Sequence, residues 1–412
     1  MVATRRGVGI RKEYFGVDAK PRFLDELRAL ERLRGIARVP EVLEIDPYKF
    51  SVTQSFIFGQ DLERVLSAFG ARLTGEDCRL RFAVTVTFQD IFAEYLREGA
   101  KYSGSLPRQL INDIYSQLQA VHRAGIMLYD LKYGNIIIEN KSGKPYLVDF
   151  DGAQVFTSLS GRAFLVERDR DVARFNEMFG TSFPTYDILH SQIVKKNYPA
   201  AMAVYASSYI GHGLRIGDLW DRTSGFGRWE YILKKNLPVK PGDKVLSLGT
   251  NNSSVELSLL RGGAASVCAL EQNADYIAQG EFLRAAFEWA DNRRYNLKYI
   301  NANMLKALDE TGTFDSVMAL CSLYYLSETD MLRLAQHLSV NTKSFILQCN
   351  VQQGIAREDA DQYRRASLDF AVNLLRKVGF SELKVISPEG YSRPLVFGFR
   401  GNIPVGNSSG VH

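Results

Sequence analysis

The sequence has few of the residues from which disulfide frameworks and zinc sites are built. Its four cysteines, Cys78, Cys268, Cys321 and Cys349, lie far apart and form no Cys-x-x-Cys pair. Its five histidines are scattered, and none has the His-Glu-x-x-His spacing of a metalloprotease. These absences exclude a disulfide-stapled scaffold and a zinc finger as the basis of the fold. We expect most of the histidines to be structural.

Long apolar runs, low-complexity segments and dense charge blocks are also missing. No apolar stretch approaches the roughly 18 residues that cross a bilayer, and residues 1–12 lack the apolar core of a signal peptide. We therefore expect a cytoplasmic protein. The alternative is a protein bound peripherally at the inner membrane face. The net charge of +5, from 51 basic and 46 acidic residues, does not demand nucleic acid as a partner. No pattern specifies an oligomeric state.

Length and patterning predict two globular domains. The chain has 412 residues, which exceeds what one hydrophobic core usually serves. Short apolar strands alternate with helices up to about residue 205. From about residue 240, the order strand, turn, helix repeats as in a parallel α/β sheet. We place the boundary near residue 205, which gives domains 1–205 and 206–412.

Polar residues between residues 126 and 154 form the set that phosphoryl transfer requires. Apolar spacing predicts a helix over 107–123, followed by a loop and two strands, the second ending at Asp149. In the loop, Asp130 can orient an acceptor hydroxyl and take its proton, and Lys132 can offset phosphoryl charge. Asn135 and Asp149 offer the oxygen ligands that Mg²⁺ prefers.

Two motifs in this region resemble those of the protein-kinase-like superfamily. They are 130-DLKYGN-135 and 149-DFDG-152, which are similar to the catalytic loop and metal-binding motif of small bacterial kinases that phosphorylate lipopolysaccharide sugars. The resemblance implies an α+β kinase-like domain with a reduced N-terminal lobe that uses ATP and Mg²⁺. It also implies that Lys12 holds the nucleotide phosphates and that Glu26 is its ion-pair partner on a helix.

The same resemblance assigns further positions and shows departures from the family. Residues 50–62 would form the strand and hinge beside adenine, and Asp171 would be the structural aspartate of the next helix. Leu128 and Tyr129 replace the usual His-Arg before the catalytic aspartate. Only eleven residues precede Lys12, which leaves little room for a glycine-rich loop. A pseudokinase that regulates or scaffolds the second domain is therefore an alternative.

The second half contains a strand, a turn, a helix and a strand over residues 244–273, which is the first unit of a dinucleotide-type sheet. Glu271, at the tip of the second strand, is placed to accept hydrogen bonds from ribose hydroxyls. The turn Gly249-Thr250-Asn251 lacks the repeated glycines that a pyrophosphate needs. The pattern therefore favours a cofactor without phosphate groups.

The continuation resembles class I S-adenosylmethionine (SAM)-dependent methyltransferases over residues 215–400, which implies a Rossmann-like α/β domain. In 299-YINANML-305, a third strand would end at Asn303, with Met304 next to it, on the adenine side. In 314-FDSVMALCSLYYL-326, a fourth strand would end at Leu320 before the loop over the methyl donor. A fifth strand (344–350), a helix (364–377) and a closing hairpin (382–386 and 394–399) would complete the sheet. Ser247 replaces the usual acidic residue of the first strand.

Four residues are candidates for binding the methyl acceptor. Arg228 and Trp229 precede the first strand, where an N-terminal cap often closes over cofactor and acceptor. Tyr324 and Tyr325 follow the fourth strand and could orient an acceptor oxygen. Packing is the alternative for each of them.

A kinase and a methyltransferase in one chain suggest sequential modification of one acceptor. The combination resembles the bifunctional kinase–methyltransferases that cap bacterial O-antigen polysaccharides, although their domain order is the reverse. We expect ATP- and Mg²⁺-dependent phosphorylation of a sugar or glycan hydroxyl, free or lipid-linked. SAM-dependent O-methylation of the same or a related acceptor would follow. The alternatives are a methyltransferase controlled by a pseudokinase and an RNA methyltransferase.

Overall fold

A computed structural model of the chain describes most of its residues in seven ranges, 1–73, 88–199, 208–217, 229–309, 312–350, 360–388 and 393–400. It divides the chain into two compact units, Met1–Ile188 and Leu189–His412. The predicted boundary near residue 205 falls outside the described residues and stays a prediction. None of the helices within the described ranges has the length and apolar character that crossing a membrane requires.

The first unit begins with an antiparallel sheet and one helix. The sheet has the order β1-β2-β4-β3, from β1 (Val2–Thr4), β2 (Gly7–Glu13), β3 (Val42–Asp46) and β4 (Ser51–Ser55). Helix α1 (Ala19–Leu33) buries Phe23 and Glu26, which are three positions apart and so share one face. Phe23 packs against the rings of Tyr14 and Phe50. The same packed face therefore places the Glu26 carboxylate against the sheet.

The rest of the first unit is mainly helical and carries short strand pairs. Its helices are α2 (Leu62–Ala68), α3 (Phe88–Ser103), α4 (Arg108–Arg123), α5 (Arg162–Phe179) and α6 (Tyr186–Val194), the last of which crosses the limit between the units. Its strands are β5 (Gly59–Asp61), β7 (Ile136–Glu139) and β8 (Pro145–Leu147) in one sheet, and β6 (Ile126–Met127) paired with β9 (Gln154–Val155). The strand predicted to end at Asp149 ends two residues earlier, because Asp149 adopts a left-handed φ of 66° that a regular strand does not accommodate.

The second unit contains a seven-stranded mixed sheet. Its order is β14-β13-β12-β15-β16-β18-β17, and β18 runs antiparallel to both of its neighbours while the first five strands are parallel. The strands are β12 (Lys244–Leu248), β13 (Ser266–Glu271), β14 (Leu297–Asn301), β15 (Phe314–Leu320), β16 (Thr342–Gln348), β17 (Glu382–Ile386) and β18 (Leu395–Phe399). Four consecutive residues of β12, 245–248, are buried, as expected of a parallel strand covered on both faces.

Helices connect these strands. They are α7 (Ser254–Arg261), α8 (Ala274–Asp291), α9 (Glu328–Ser339), α10 (Ala360–Arg365) and α11 (Leu368–Lys377). A hairpin of β10 (Ser208–Gly211) and β11 (Leu214–Ile216) precedes the sheet, as do the helical turns Trp229–Leu233 and Lys234–Asn236. The single helix predicted over 364–377 is divided in two, because Ser367 caps α11 by accepting a hydrogen bond from the Phe370 N–H (3.2 Å).

The predicted third strand of this sheet also ends earlier than expected. β14 stops at Asn301, and Asn303 lies in the turn that follows. The Asn303 side-chain oxygen accepts a hydrogen bond from the Leu305 N–H (3.0 Å) at the start of a 3₁₀ helix, Met304–Asp309. Asparagine side chains compete with the strand ladder in this way. The residue nevertheless stays at the tip of β14.

Candidate functional site

A cavity of about 390 Å³ lies at the carboxyl ends of β12, β13, β14 and β15. The sheet reverses its winding between β12 and β15, and ligands of doubly wound sheets bind at such a switch point. The structure brings together here all of the residues in this unit that were predicted to bind the cofactor, namely Gly249, Thr250, Asn251, Glu271, Asn303, Met304 and Leu320.

Glu271 anchors the turn that borders this cavity. The Asn251 N–H donates to Glu271 Oε2 (2.8 Å), and the Asn273 N–H donates to Glu271 Oε1 (2.9 Å). The residue is 7% exposed, and it lines the cavity. One carboxylate therefore fixes the turn after β12 against the tip of β13.

Three residues in the turn after β12 have left-handed φ angles, and only one of them is glycine. Gly249 has φ 71°, and Asn251 and Ser253 have φ values of 54° and 56°. An added Cβ on Gly249 would lie 2.7 Å from Ser322 Cβ, so glycine is required there for close packing as well as for φ. Asparagine tolerates the left-handed region better than most residues, which explains how the turn forms without repeated glycines.

The two tyrosines after the fourth strand have different environments. Tyr325 is 67% exposed and lines the cavity. Tyr324 is buried, and its hydroxyl accepts a hydrogen bond from the Asn350 side-chain amide (3.1 Å). Burial raises the pKa of Tyr324. Of the pair, Tyr325 is the residue that faces the cavity.

Trp229, one of the two predicted cap residues, does not line this cavity. Trp229 lines a separate cavity of about 780 Å³, together with Val239 and Lys240 before β12 and Ala264 before β13. These positions lie at the amino ends of the strands, whereas the first cavity lies at their carboxyl ends. Arg228 is outside the described residues.

Sequence reasoning missed Glu256, Gln272, Tyr276 and Ser322, which also line the cavity at the strand tips. Ser322 donates from its hydroxyl to the Leu248 carbonyl (2.5 Å) and so ties the loop after β15 to β12. The signal for Gln272 was its position directly after the predicted acid. Glu256 lies on α7 and gave no sequence signal of its own.

A second group of polar residues is assembled in the first unit. Lys12 Nζ lies 2.8 Å from Glu26 Oε1 and 2.6 Å from Asp149 Oδ1. Glu26 is fully buried and also accepts a hydrogen bond from the Gln54 side-chain amide (2.6 Å). Burial alone would lower the pKa of Lys12, but the carboxylates of Glu26 and Asp149 outweigh it and raise that pKa. Lys12 is therefore held as a cation between two carboxylates.

The loop before β7 brings three further candidates together. Lys132 Nζ lies 2.7 Å from Asp130 Oδ2. The Asn135 side-chain amide donates to the Asp130 carbonyl (2.9 Å) and contacts Asp130 Oδ2 (3.3 Å). The Val148 N–H donates to the Asn135 carbonyl (3.0 Å). Val148 directly precedes Asp149, so this hydrogen bond brings the backbone at Asp149 close to Asn135.

Asn135 and Asp149 carry oxygen atoms of the kind that Mg²⁺ takes as ligands. The Asn135 amide nitrogen is used within the loop, so its oxygen is the atom it can offer to a metal. No grouping of three or more acidic, histidine or cysteine side chains that could hold a metal occurs in the described part of the chain. Mg²⁺ in phosphoryl-transfer sites usually takes one or two protein ligands and completes its shell with phosphates and water. Asn135 and Asp149 suit that role.

Asp171 fixes the backbone that leads into this loop. It is buried and accepts hydrogen bonds from the N–H groups of Leu128 (2.9 Å) and Tyr129 (3.3 Å). His122 Nε2 lies 3.1 Å from the same carboxylate. Burial lowers the pKa of His122, although Asp171 opposes the shift. Asp171 therefore supports the backbone immediately before Asp130.

No protein-family model matches the chain, and no curated protein is detectably similar to it in sequence. Similar folds among solved structures include the magnesium protoporphyrin IX methyltransferase ChlM from Synechocystis PCC 6803 with bound SAM (17% identity, 41% of this chain, 74% of that chain, TM-score 0.30). They also include an O-methyltransferase family protein from Burkholderia thailandensis (14% identity, 38% of this chain, 51% of that chain, TM-score 0.31). A third is WbdD crystallised with a kinase inhibitor (19% identity, 39% of this chain, 36% of that chain, TM-score 0.31). Similarity at this level identifies no family for the chain.

Proposed function

We propose that the second unit is a SAM-dependent methyltransferase whose cofactor occupies the cavity at the strand tips. The observation that carries this proposal is the charge of the cavity lining. Glu256 and Glu271 line it, and among the described lining residues none is Lys or Arg. A pyrophosphate-bearing cofactor would bring negative charge to these carboxylates, whereas SAM brings an ammonium and a sulfonium group. The volume is within the range of small-molecule sites.

The order of the strand tips supports an extended cofactor. Neighbouring strands lie about 4.8 Å apart, so the four tips from β14 to β15 span about 14 Å. Adenine would lie by Asn303 at the β14 tip, and the ribose hydroxyls by Glu271 at the β13 tip. The methionine part would follow by Gly249 at the β12 tip. The methyl group would then point to the loop after β15, where Tyr325 lies.

The described lining also constrains the methyl acceptor. SAM supplies an electrophilic methyl group, so the acceptor must present a nucleophile. The ionisable described residues of the lining other than the carboxylates are Tyr276, Cys321 and Tyr325. The described lining includes no His or Lys, which often act as general bases. An oxygen that is already anionic needs no base. A phosphate oxygen on a sugar or glycan is therefore our preferred acceptor.

We further infer that the first unit is a kinase that uses ATP and Mg²⁺. Lys12, oriented by Glu26, would hold the nucleotide phosphates, and Asn135 with Asp149 would hold the metal. Asp130 would orient the acceptor hydroxyl and take its proton, while Lys132 would offset phosphoryl charge. With both activities, the chain would phosphorylate a sugar or glycan hydroxyl and methylate the same or a related acceptor during cell-surface polysaccharide modification.

Titration calorimetry on three proteins tests both parts. Wild type, Asp149→Ala and Glu271→Ala are titrated with SAM and with ATP, each with and without Mg²⁺. We expect Asp149→Ala alone to lose Mg²⁺-dependent ATP binding and Glu271→Ala alone to lose SAM binding. The exposed residues Glu31 and Glu382, each changed to Ala, are matched controls. Absence of SAM binding in wild type would overturn the methyltransferase assignment, and absence of ATP binding would overturn the kinase assignment.

One observation favours a pseudokinase as the second candidate. The turn between β1 and β2 is tight, since Thr4 pairs with Gly7 and only residues 5 and 6 connect the two strands. It therefore offers little backbone to cover nucleotide phosphates. In that case Asp130→Ala would leave the biological output unchanged while Glu271→Ala would abolish it. An RNA acceptor, the remaining alternative, would show itself as salt-dependent RNA binding.

A further inference from the structure

A second cavity in the second unit lies at the amino ends of the parallel strands. It has a volume of about 780 Å³, and its lining includes Val239 and Lys240 before β12, Ala264 before β13, and the hairpin of β10 and β11. A cavity of this size is within the range of small-molecule sites. The proposed methyl transfer does not use it, because that reaction was assigned to the carboxyl ends of the strands.

The described lining of this second cavity is basic. Its cationic residues are Arg215, Lys234, Lys240 and Arg261, and Asp291 is the only acidic residue among the described lining residues. Asp291 Oδ2 lies 2.8 Å from Arg261 Nε, so these two residues are neutral as a pair. The other three cationic side chains are in excess, and all three residues are exposed. A positive lining of this kind favours an anionic ligand.

Arginine side chains hold the wall of this cavity together. The Arg261 guanidinium donates to the carbonyls of Tyr209 (2.7 Å) and Ile210 (2.6 Å), which ties α7 to the hairpin. The carbonyls that end α7 have a cationic partner outside the described lining, since Arg293 donates to those of Leu260 (3.0 Å) and Arg261 (2.9 Å). Helix carboxyl ends carry partial negative charge. At the end of α7, Arg293 offsets that charge.

The hairpin places an aromatic ring beside a cation. Tyr209 and Arg215 are direct partners in the antiparallel pairing of β10 and β11, so their side chains leave the same face of the hairpin. Tyr209 is 62% exposed, whereas its neighbours Ser208 and Ile210 are buried. Tyr209 and Arg215 both line the cavity, and Trp229 adds a second aromatic side chain. An aromatic face can stack on a ring, and the adjacent guanidinium can bind a phosphate on that ring.

We propose that this cavity binds a phosphate ester of a ring compound, such as a sugar phosphate or a mononucleotide. The phosphate group would lie among Arg215, Lys234 and Lys240, and the ring would lie against Tyr209 and Trp229. Such a ligand has the two features that the described lining matches, namely negative charge and an apolar ring face. The inference goes beyond the proposed function and does not rest on it, because the site is separate from the cofactor cavity.

Calorimetry with small phosphates tests the site in the full chain. Glucose 6-phosphate and AMP are the ester probes, and glucose and inorganic phosphate are separate parts of the first. We expect at least one ester to bind about tenfold more tightly than inorganic phosphate, with an affinity that falls as salt rises. The protein is the double variant Asp149→Ala/Glu271→Ala, so that the proposed ATP and SAM sites contribute little. A preference for glucose 6-phosphate would identify a sugar ligand, and a preference for AMP would identify a nucleotide.

Substitutions in the lining assign the binding to this cavity. Lys240→Gln should weaken binding of the preferred ester about 5- to 30-fold, and Arg215→Gln, on a different element, should act in the same way. Tyr209→Ala should weaken the ester and leave inorganic phosphate unchanged. Lys298→Gln, at an exposed position of β14, is the matched control. Thermal unfolding of each variant separates loss of the site from loss of the fold.

Four results would overturn the inference. Equal affinity for the esters and for inorganic phosphate would mean an adventitious ion only. The site would also be excluded if neither ester bound, or if the lining variants bound the preferred ester as tightly as the control does. Binding of oligouridine RNA in place of the esters, weakened by Lys240→Gln, would indicate a nucleic-acid surface. SAM binding is measured separately, so failure of this inference leaves the proposed methyltransferase function standing.

Discussion

Lys12 and Asp149 are 137 positions apart in the sequence, yet their side chains form an ion pair with an Nζ–Oδ1 distance of 2.6 Å. Glu26 completes the arrangement from α1, 2.8 Å from the same ammonium. Helix α1 has a second connection to this segment, because the Arg22 guanidinium donates from Nε to both oxygens of Asp151 (2.8 and 3.0 Å). Helix α1 is thus tied to the segment after β8 directly at Asp151 and, through Lys12 of β2, indirectly at Asp149.

Removing the Lys12 ammonium should destabilise the first unit. Lys12→Met leaves Glu26 fully buried without its cation, and we expect the free energy of unfolding to fall by about 1–3 kcal/mol. The double variant Lys12→Met/Glu26→Gln should lose less than the sum of the single changes, because the buried charge is gone. Hydrogen exchange of amides in α1 and β4 at increasing urea measures both effects. Lys20→Met, at an exposed position, is the control. Strict additivity would contradict the prediction.

His122 should make the first unit sensitive to acid. Its pKa is lowered in the folded protein by burial, against the opposing effect of Asp171. As the pH falls below about 6.5, the unfolded chain takes up a proton that the folded state does not, so stability decreases by up to about 1.4 kcal/mol per pH unit. His122→Gln should flatten this dependence in exchange measurements on α4 and α5. The exposed His190→Gln should not. A dependence unchanged in His122→Gln would show that other groups titrate.

Gly249→Ala should weaken SAM binding, because an added methyl group prevents the turn after β12 from adopting its conformation. An added Cβ would lie 2.7 Å from Ser322 Cβ, and φ is 71°. Gly379 separates these two effects, since its φ is 94° and an added Cβ meets nothing within 4 Å. Both variants should lose about 1–2 kcal/mol of stability from left-handed strain, but only Gly249→Ala should lose at least tenfold in SAM affinity. Equal affinities in the two variants would count against this placement of the cofactor.

The cavity shows what a sequence pattern can predict. Gly249 and Glu271 are predictable because apolar runs fix where buried parallel strands end, and neighbouring tips meet at one edge of the sheet. Asn303 reaches the same cavity although its strand ends two residues earlier than predicted. Misplacing the end of a strand by two residues does not change the edge of the sheet to which the following residues belong.

Other placements depend on packing that no local pattern records. Glu256 lies in the cavity because of how α7 is rotated against β12, and that rotation is set by the fold as a whole. Trp229 was expected near the acceptor, but chain direction places it by the amino ends of the strands. The proximity of Lys12 to Asp149 was accessible only through a resemblance, since nothing in local spacing connects positions so far apart.

Tyr325 and Tyr324 offer the sharpest test of where the acceptor lies. Tyr325 is exposed at the cavity, so Tyr325→Phe removes a hydroxyl that could contact the acceptor and leaves the proposed cofactor residues Glu271 and Asn303 unchanged. We expect methyl transfer to a phosphorylated glycan to fall about tenfold at unchanged SAM affinity. Tyr324→Phe instead removes the hydrogen bond from Asn350 (3.1 Å) and should cost about 0.5–1.5 kcal/mol of stability, with little change in transfer rate. Reversed effects in the two variants would place the acceptor on the buried side of the loop after β15 and so contradict the proposed site.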